Sequence, residues 1–558
     1  MVRIVLFWMS MIFLGFSESS LISSLTNADI ENSTPPNPSK SVSLFDYDLP
    51  IEKSSKAYKS IQQGYGHLLG NWDFQAYRFF LEALKEEPNS LFATSGITLA
   101  LIGGDVHLAP QIKASVIRHR ELLKNAEGSE FELAFARAVS LLTERQITKW
   151  TDELKKISSQ KELGWELPEL LHYLFARDGY TLLGEPKIGQ QKAIAGLESL
   201  CQELPNTPAP HAYLVASQLD NPNATLLADK GDLVTSARRL TRFYPSYPYY
   251  QLLVGCSELK CGELILSTEP LRQAIRLYEK HKDYESVLER NLISLVEARL
   301  NLITALTLQH DFESADLELR KLLSTELPVE QSRSLVGSAL HWEASSFPMR
   351  IACYRDSEWL MKKRAADIRE RFGKKKLADL KLPEQFLMTL AAYASSRVAI
   401  QAKNFTLAEE ELLKFSEAGS SVINNSGKAL LNNEVPYWER ASALITLLEF
   451  ELKARFEVVD KSDKISVISK ITEAIDRQQP TRGVMPPLWL SPMETYKGDY
   501  LLSKGEYEEA LIAYQEASNR ILNHQPTLKG LQKTYSALGK TTEAERIQNK
   551  LDALLFKE

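Results

Sequence analysis

Gly505 and Gly539 stand 34 residues apart, and so do Ala510 and Ala544. Between them Tyr507, Ala510, Leu511, Tyr514, Ala517 and Ile521 follow helical spacing, with polar residues on the other side. A recurrence of that length with small residues at fixed places specifies a stacked helix–turn–helix unit. Small residues are required because two helices approach closely only where Cβ bulk is absent. One hairpin cannot bury its own apolar face, so neighbours must stack. The expected fold class is therefore an all-α solenoid of about a dozen helical hairpins.

The residues resemble those of the tetratricopeptide repeat family. Gly498, Leu501, Ala510, Tyr514 and Ala517 are similar to that family's order of Gly, aromatic or Leu, Ala, aromatic, Ala. An N-terminal copy is closer, with Gly64, Ala76, Phe80, Ala83 and the terminal Pro88 all matching. Other copies are degenerate: around Ala305 and Ala315, Leu319 and Leu322 stand where the family prefers an aromatic and an alanine. A further hairpin places Ala408 at the small position. The resemblance implies a right-handed superhelix whose wall binds a peptide or protein. The Lys and Asn with which some members grip a C-terminal carboxylate are replaced here by Ile61 and Tyr65, and by Thr495 and Asp499.

At 558 residues the chain exceeds one compact core, so several domains or one extended array are expected. Its 25 glycines and 24 prolines argue against a loop-rich fold and against phosphate-cradling loops. A net charge of −6 on such a length points to ordinary solubility and away from a nucleic-acid partner. The expected division is 1–19, 20–50, 51–327, 328–435 and 436–558: a signal, a tether, an N-terminal solenoid, middle hairpins and C-terminal repeats.

Arg3 precedes 13 uncharged residues, Ile4 to Phe16, with Ser17 and Ser19 following. That run is short for a bilayer span and suits a secretory signal. The chain is thus expected to be exported, periplasmic or secreted, with an uncleaved membrane anchor as the alternative. The Pro/Asn/Ser-rich stretch that follows reads as a flexible tether. Helices are expected over 90–102, 111–123, 130–143, 150–158, 167–183 and 189–204, and 418–435 as an internal loop or hinge.

No motif for covalent, metal or phosphate chemistry stands out. Nine histidines lie singly, without a pair at ligand spacing on one helix, so no cofactor is expected and the chain reads as a non-enzyme. The four cysteines suit buried small hydrophobes or a bridge in an oxidising compartment. Two stretches could bind. Tyr247, Tyr249 and Tyr250, among prolines, form either an aromatic platform or a stiff connector packed between hairpins. Lys362, Lys363 and Arg364 open the densest run of cations, either a docking patch for an acidic partner or lipid head groups, or a solvated helix end. The leading expectation is a scaffold or adaptor for another protein or peptide. The alternatives are a solute- or glycan-binding solenoid and an enzyme of unrecognised type.

Overall fold

A computed structural model describes residues 49–555 except 103–108, 126–127, 163, 182–184, 223–229, 282–289, 326–338, 430–434, 461–462 and 480–485. The signal and nearly all of the tether lie outside the described residues. Among those described, regular structure is helical, with a single isolated bridge between Tyr180 and Pro186.

There are 24 α-helices among the described residues. The first half comprises α1 (Tyr58–Leu69), α2 (Asp73–Glu86), α3 (Leu91–Leu101), α4 (Ala109–Asn125), α5 (Glu130–Thr143), α6 (Ile147–Ser159), α7 (Glu166–Ala176), α8 (Ile188–Glu203), α9 (Pro208–Leu219), α10 (Lys230–Phe243), α11 (Pro248–Lys260) and α12 (Leu264–His281). The second comprises α13 (Arg290–Leu308), α14 (Phe312–Leu323), α15 (Ser345–Tyr354), α16 (Glu358–Phe372), α17 (Leu382–Gln401), α18 (Phe405–Ala429), α19 (Val435–Asp460), α20 (Lys464–Gln478), α21 (Met493–Ser503), α22 (Tyr507–Arg520), α23 (Gln525–Ala537) and α24 (Thr541–Leu555). Nearly every helix packs on its successor, giving a stacked array of hairpins.

One turn recurs. Residues Asn71, Arg145, Gly262, His310, Asp356, Lys403, Gly505 and Gly539 all have positive φ. The amide after each donates to the carbonyl five residues back, as in Trp72 to His67, Asn404 to Ala399 and Lys540 to Tyr535, each at 2.9 Å. This is the αL helix stop that satisfies otherwise orphaned terminal carbonyls. Only three of the eight use glycine.

Close approach is enforced at the positions the repeat marks. A Cβ on Gly64 would lie 2.5 Å from the Phe80 ring, and one on Gly498 would lie 2.6 Å from Tyr514. Gly96 and Gly530 press on the same two rings from the next helix, so each aromatic is held by two glycines. Ala76, Ala83, Ala510, Ala517 and Ala544 are buried against them, and Pro88 sits exposed in the turn after α2.

Three expectations need correction. The 418–435 stretch is helical as far as Ala429, because Ala418, Gly419 and Val422 face inward and Gly419 abuts Ile445 of α19. The 167–183 helix stops at Ala176: Gly179 has φ +79°, and Asp178 turns to accept the Gly189 and Gln190 amides that open α8. The tether's end is docked: Leu49 is buried and donates its amide to the Tyr58 hydroxyl.

The apolar interior forms one cluster from Leu49 to Tyr213 and a larger one from Ala212 to Leu551, which Trp72 joins. The expected divisions at 327/328 and 435/436 both fall within the span of the larger cluster. Helices α3, α11 and most of α17 are buried on every side. The hairpins on either side enclose them: α3 lies among α1, α2, α4 and α5, α11 among α9, α10, α12 and α13, and α17 among α15, α16, α18 and α19. α2 meets α13, Asn523 donates to the Gly262 carbonyl at 2.6 Å, and Tyr354 packs edge-on to His524.

Candidate functional site

The tyrosine segment is interior. Tyr247, Tyr249 and Tyr250 are buried, with Tyr247 wedged against His67, Trp72 and the backbone of Gly70. Burial raises the Tyr247 hydroxyl's pKa well above the usual range, helped by Tyr250 and Tyr278. An aromatic platform open to a ligand is therefore ruled out for these three rings; their faces pack on protein. Pro248 occupies the first turn of α11, where its missing N–H costs nothing.

The cationic run lies on α16, an outer helix capped by the Ser357 hydroxyl. Its buried side, Met361 and Ala365, faces the array, and the opposite side carries Lys362 and Lys363. Lys362 pairs with Glu358, and Arg364 lies 3.9 Å from Asp316 of α14 and 3.8 Å from Asp367. Arg369 pairs with Glu411, tying α16 to α18. Lys363 has no acid within pairing distance and stands 5.1 Å over the Trp359 ring. Arg371, Lys374 and Lys376 are exposed and make no ion pair among the described residues. Trp359 was not singled out by the sequence reading, although its four-residue spacing from Lys363 marks one helix face. It is 66% exposed.

Elsewhere, ionisable groups are committed to the fold. Glu451, fully buried on α19, accepts from Arg455 at 2.7 Å and Tyr393 at 2.9 Å. Arg397 of α17 reaches Asp356 at 2.6 Å and the Cys353 carbonyl at 3.2 Å. Burial alone would raise the pKa of Glu451 and Asp356, but the adjacent arginines override it and hold both low. The network thus staples α17 and α19 to the turn between α15 and α16. A second clamp joins Arg520 to both carboxylate oxygens of Glu494, at 3.0 and 3.1 Å from Nε.

The histidines serve similarly. His119 sits between Ser95 (3.1 Å) and Ser140 (3.5 Å), and burial pushes its pKa down to about 4. His524 caps α23 through the Thr527 amide, and burial takes it to about 3. His310 contacts the Tyr354 hydroxyl at 3.1 Å. No group of three or more metal-ligating side chains occurs among the described residues, and no described helix is long and apolar enough to cross a membrane. The four cysteines are free. Burial raises Cys201, Cys256 and Cys353 to about 12, so their thiols are inert.

No family model and no curated relative matches the chain. Among solved structures it is similar to a human IFIT1 dimer with PPP-AAAA, at 13% identity over 78% of this chain and 93% of that one, TM-score 0.34. It is also similar to a monomeric IFIT1 mutant with Gppp-AAAA (12% identity, 90% and 92% coverage, TM-score 0.32). The TPR domain of P58(IPK) is similar at 14% identity, covering 87% of this chain and 99% of that one, TM-score 0.22.

Proposed function

We propose that the chain is a non-catalytic helical scaffold that binds an acidic segment of another protein through the outer face of α16. The observation that carries this is Trp359, a large exposed aromatic beneath the Lys363 ammonium, followed by cations that the fold leaves without acid partners. Tryptophan is what a protein interface concentrates at its centre, and lysines around it give the charge complementarity that selects an acidic partner. The burial of α3, α11 and most of α17 among neighbouring hairpins supports an outer face for docking. The engagement of the buried acids, arginines and histidines in structural contacts supports a binding role. The work is assigned to an exported compartment, on the strength of the apolar run at 4–16 and the polar stretch behind it.

A photo-crosslinking residue replacing Trp359, in the native compartment, tests the reading. A protein adduct should form there, be absent when Ile465 carries the crosslinker, and vanish with K362E/K363E. A nucleic-acid or lipid adduct, or none, would overturn it.

A further inference from the structure

The first turn of α15 is unusual. A π-helical turn, Ala339–Ala344, runs directly into it, and Pro348 sits inside its first turns. Proline lacks the N–H that would bond back to the preceding turn, so the helix must widen or find other donors. The Ser345 hydroxyl donates to the Leu340 carbonyl at 2.8 Å and the Ser346 hydroxyl to the Glu343 carbonyl at 2.7 Å. Trp342 lies in the π-helical turn and Arg350 in α15, and both side chains are buried.

Arg350 is 1% exposed, and Nε, Nη1 and Nη2 all lack a hydrogen-bond partner. The guanidinium lies 4.9 Å over Phe347 and 5.8 Å over Trp342, and the Trp342 Nε1, also buried, has no acceptor either. Phe386 and Trp438 pack against Trp342, closing the wall with aromatic rings. Nearby Glu343 is committed to Arg440 at 2.9 Å. Glu343 also lies near enough to Arg350 to favour its charged form but makes no hydrogen bond to it. Burial lowers Arg350's pKa to about 10, which still leaves it charged at neutral pH. A buried, unpaired cation with its donors unmet is among the most costly arrangements a core can hold.

We infer that Arg350 and Trp342 form a buried binding site for a small oxyanion, a carboxylate or a phosphate, whose oxygens meet the donors on the four unmatched nitrogens. Every orphaned group in the cluster is a donor, and the guanidinium is charged, which favours an anionic acceptor and excludes cations. The guanidinium fork matches two oxygens of either anion.

The test uses the full chain, with inorganic phosphate and benzoate as probes and potassium chloride at matched ionic strength as control, read by thermal shift and calorimetry. Either probe should raise the melting temperature beyond chloride. Phosphate alone points to a phosphate-bearing ligand, and benzoate alone to a carboxylate. R350M should keep or raise the unliganded melting temperature and lose at least tenfold in probe affinity. R350K, which keeps the charge but not the fork, should fold and bind more weakly than the wild type. W359A should leave the response intact, which separates this site from the α16 face. No response in the wild type, or an undiminished one in R350K and R350M, would overturn the inference.

Discussion

His119 gives the fold an acid sensitivity that can be located. The imidazole is buried where α4 crosses α3 and α5, and its pKa falls from the ordinary 6.5 to about 4. A base whose folded pKa lies below its unfolded one binds more protons unfolded, so stability is complete above about pH 6.5 and falls as pH drops below it. At pH 5 the unfolded imidazole is almost fully protonated and the folded one about a tenth so. The difference amounts to about 2 kcal/mol lost relative to pH 7.5. In an array whose repeats open locally, that loss should appear in α3–α5 first. Hydrogen exchange followed by mass spectrometry on peptides spanning 91–143, corrected for intrinsic rates, should show protection falling about 30-fold between pH 7.5 and 5, the equivalent of about 2 kcal/mol. His119→Leu should abolish most of that pH dependence. Its cost at pH 7.5 should be small, because the Ser95 hydroxyl still donates to the Leu91 carbonyl. If the wild type shows no such fall, or the leucine variant keeps it, the assignment of the proton to His119 is wrong.

Gly64→Ala and Gly498→Ala should each destabilise by roughly 1–3 kcal/mol in urea unfolding, since the added methyl meets an aromatic ring held from both sides. Glu451→Ala should cost about 3–5 kcal/mol, because Arg397 and Arg455 lose their buried counter-charge; circular-dichroism melts would measure it. Arg145→Gly and Lys403→Gly, at αL turn positions, should stabilise by about 0.5–1 kcal/mol in the same melts. Cys256 and Cys353 should resist a thiol reagent in the native protein and react promptly in denaturant.

The sequence made the helical class and the two outermost hairpins legible because those copies keep glycine under the ring: Gly64 beneath Phe80 and Gly498 beneath Tyr514. The middle copies share the same stop but hide it. At Arg145, His310, Asp356 and Lys403 an ordinary side chain occupies the left-handed position that glycine marks at 505 and 539. Backbone geometry repeats there while residue identity does not, so a search for recurring glycines passes over the turns. The tyrosine segment was ambiguous for a different reason. Whether aromatic rings face a ligand or a helix depends on a contact with His67 and Trp72, some 180 residues away, which local periodicity cannot register. The same holds for Arg350, whose isolation is visible only when every acceptor around it has been assigned.

Packing also explains why the two candidate sites lie where they do. The helices α3, α11 and α17 are enclosed by the hairpins on either side of them in the chain, while α16 keeps an exposed face. Polar groups inside such an array must be satisfied internally. Arg397, Arg455 and Arg520 are, each by a buried or nearly buried carboxylate. Arg350 departs from that pattern, while Lys363, Arg371, Lys374 and Lys376, which make no ion pair among the described residues, sit on the surface where water serves them. Arg177, also buried, is met by the Ser217 hydroxyl and the Leu174 carbonyl, whereas the Arg350 guanidinium meets no acceptor among the described residues, the gap that the proposed oxyanion would fill.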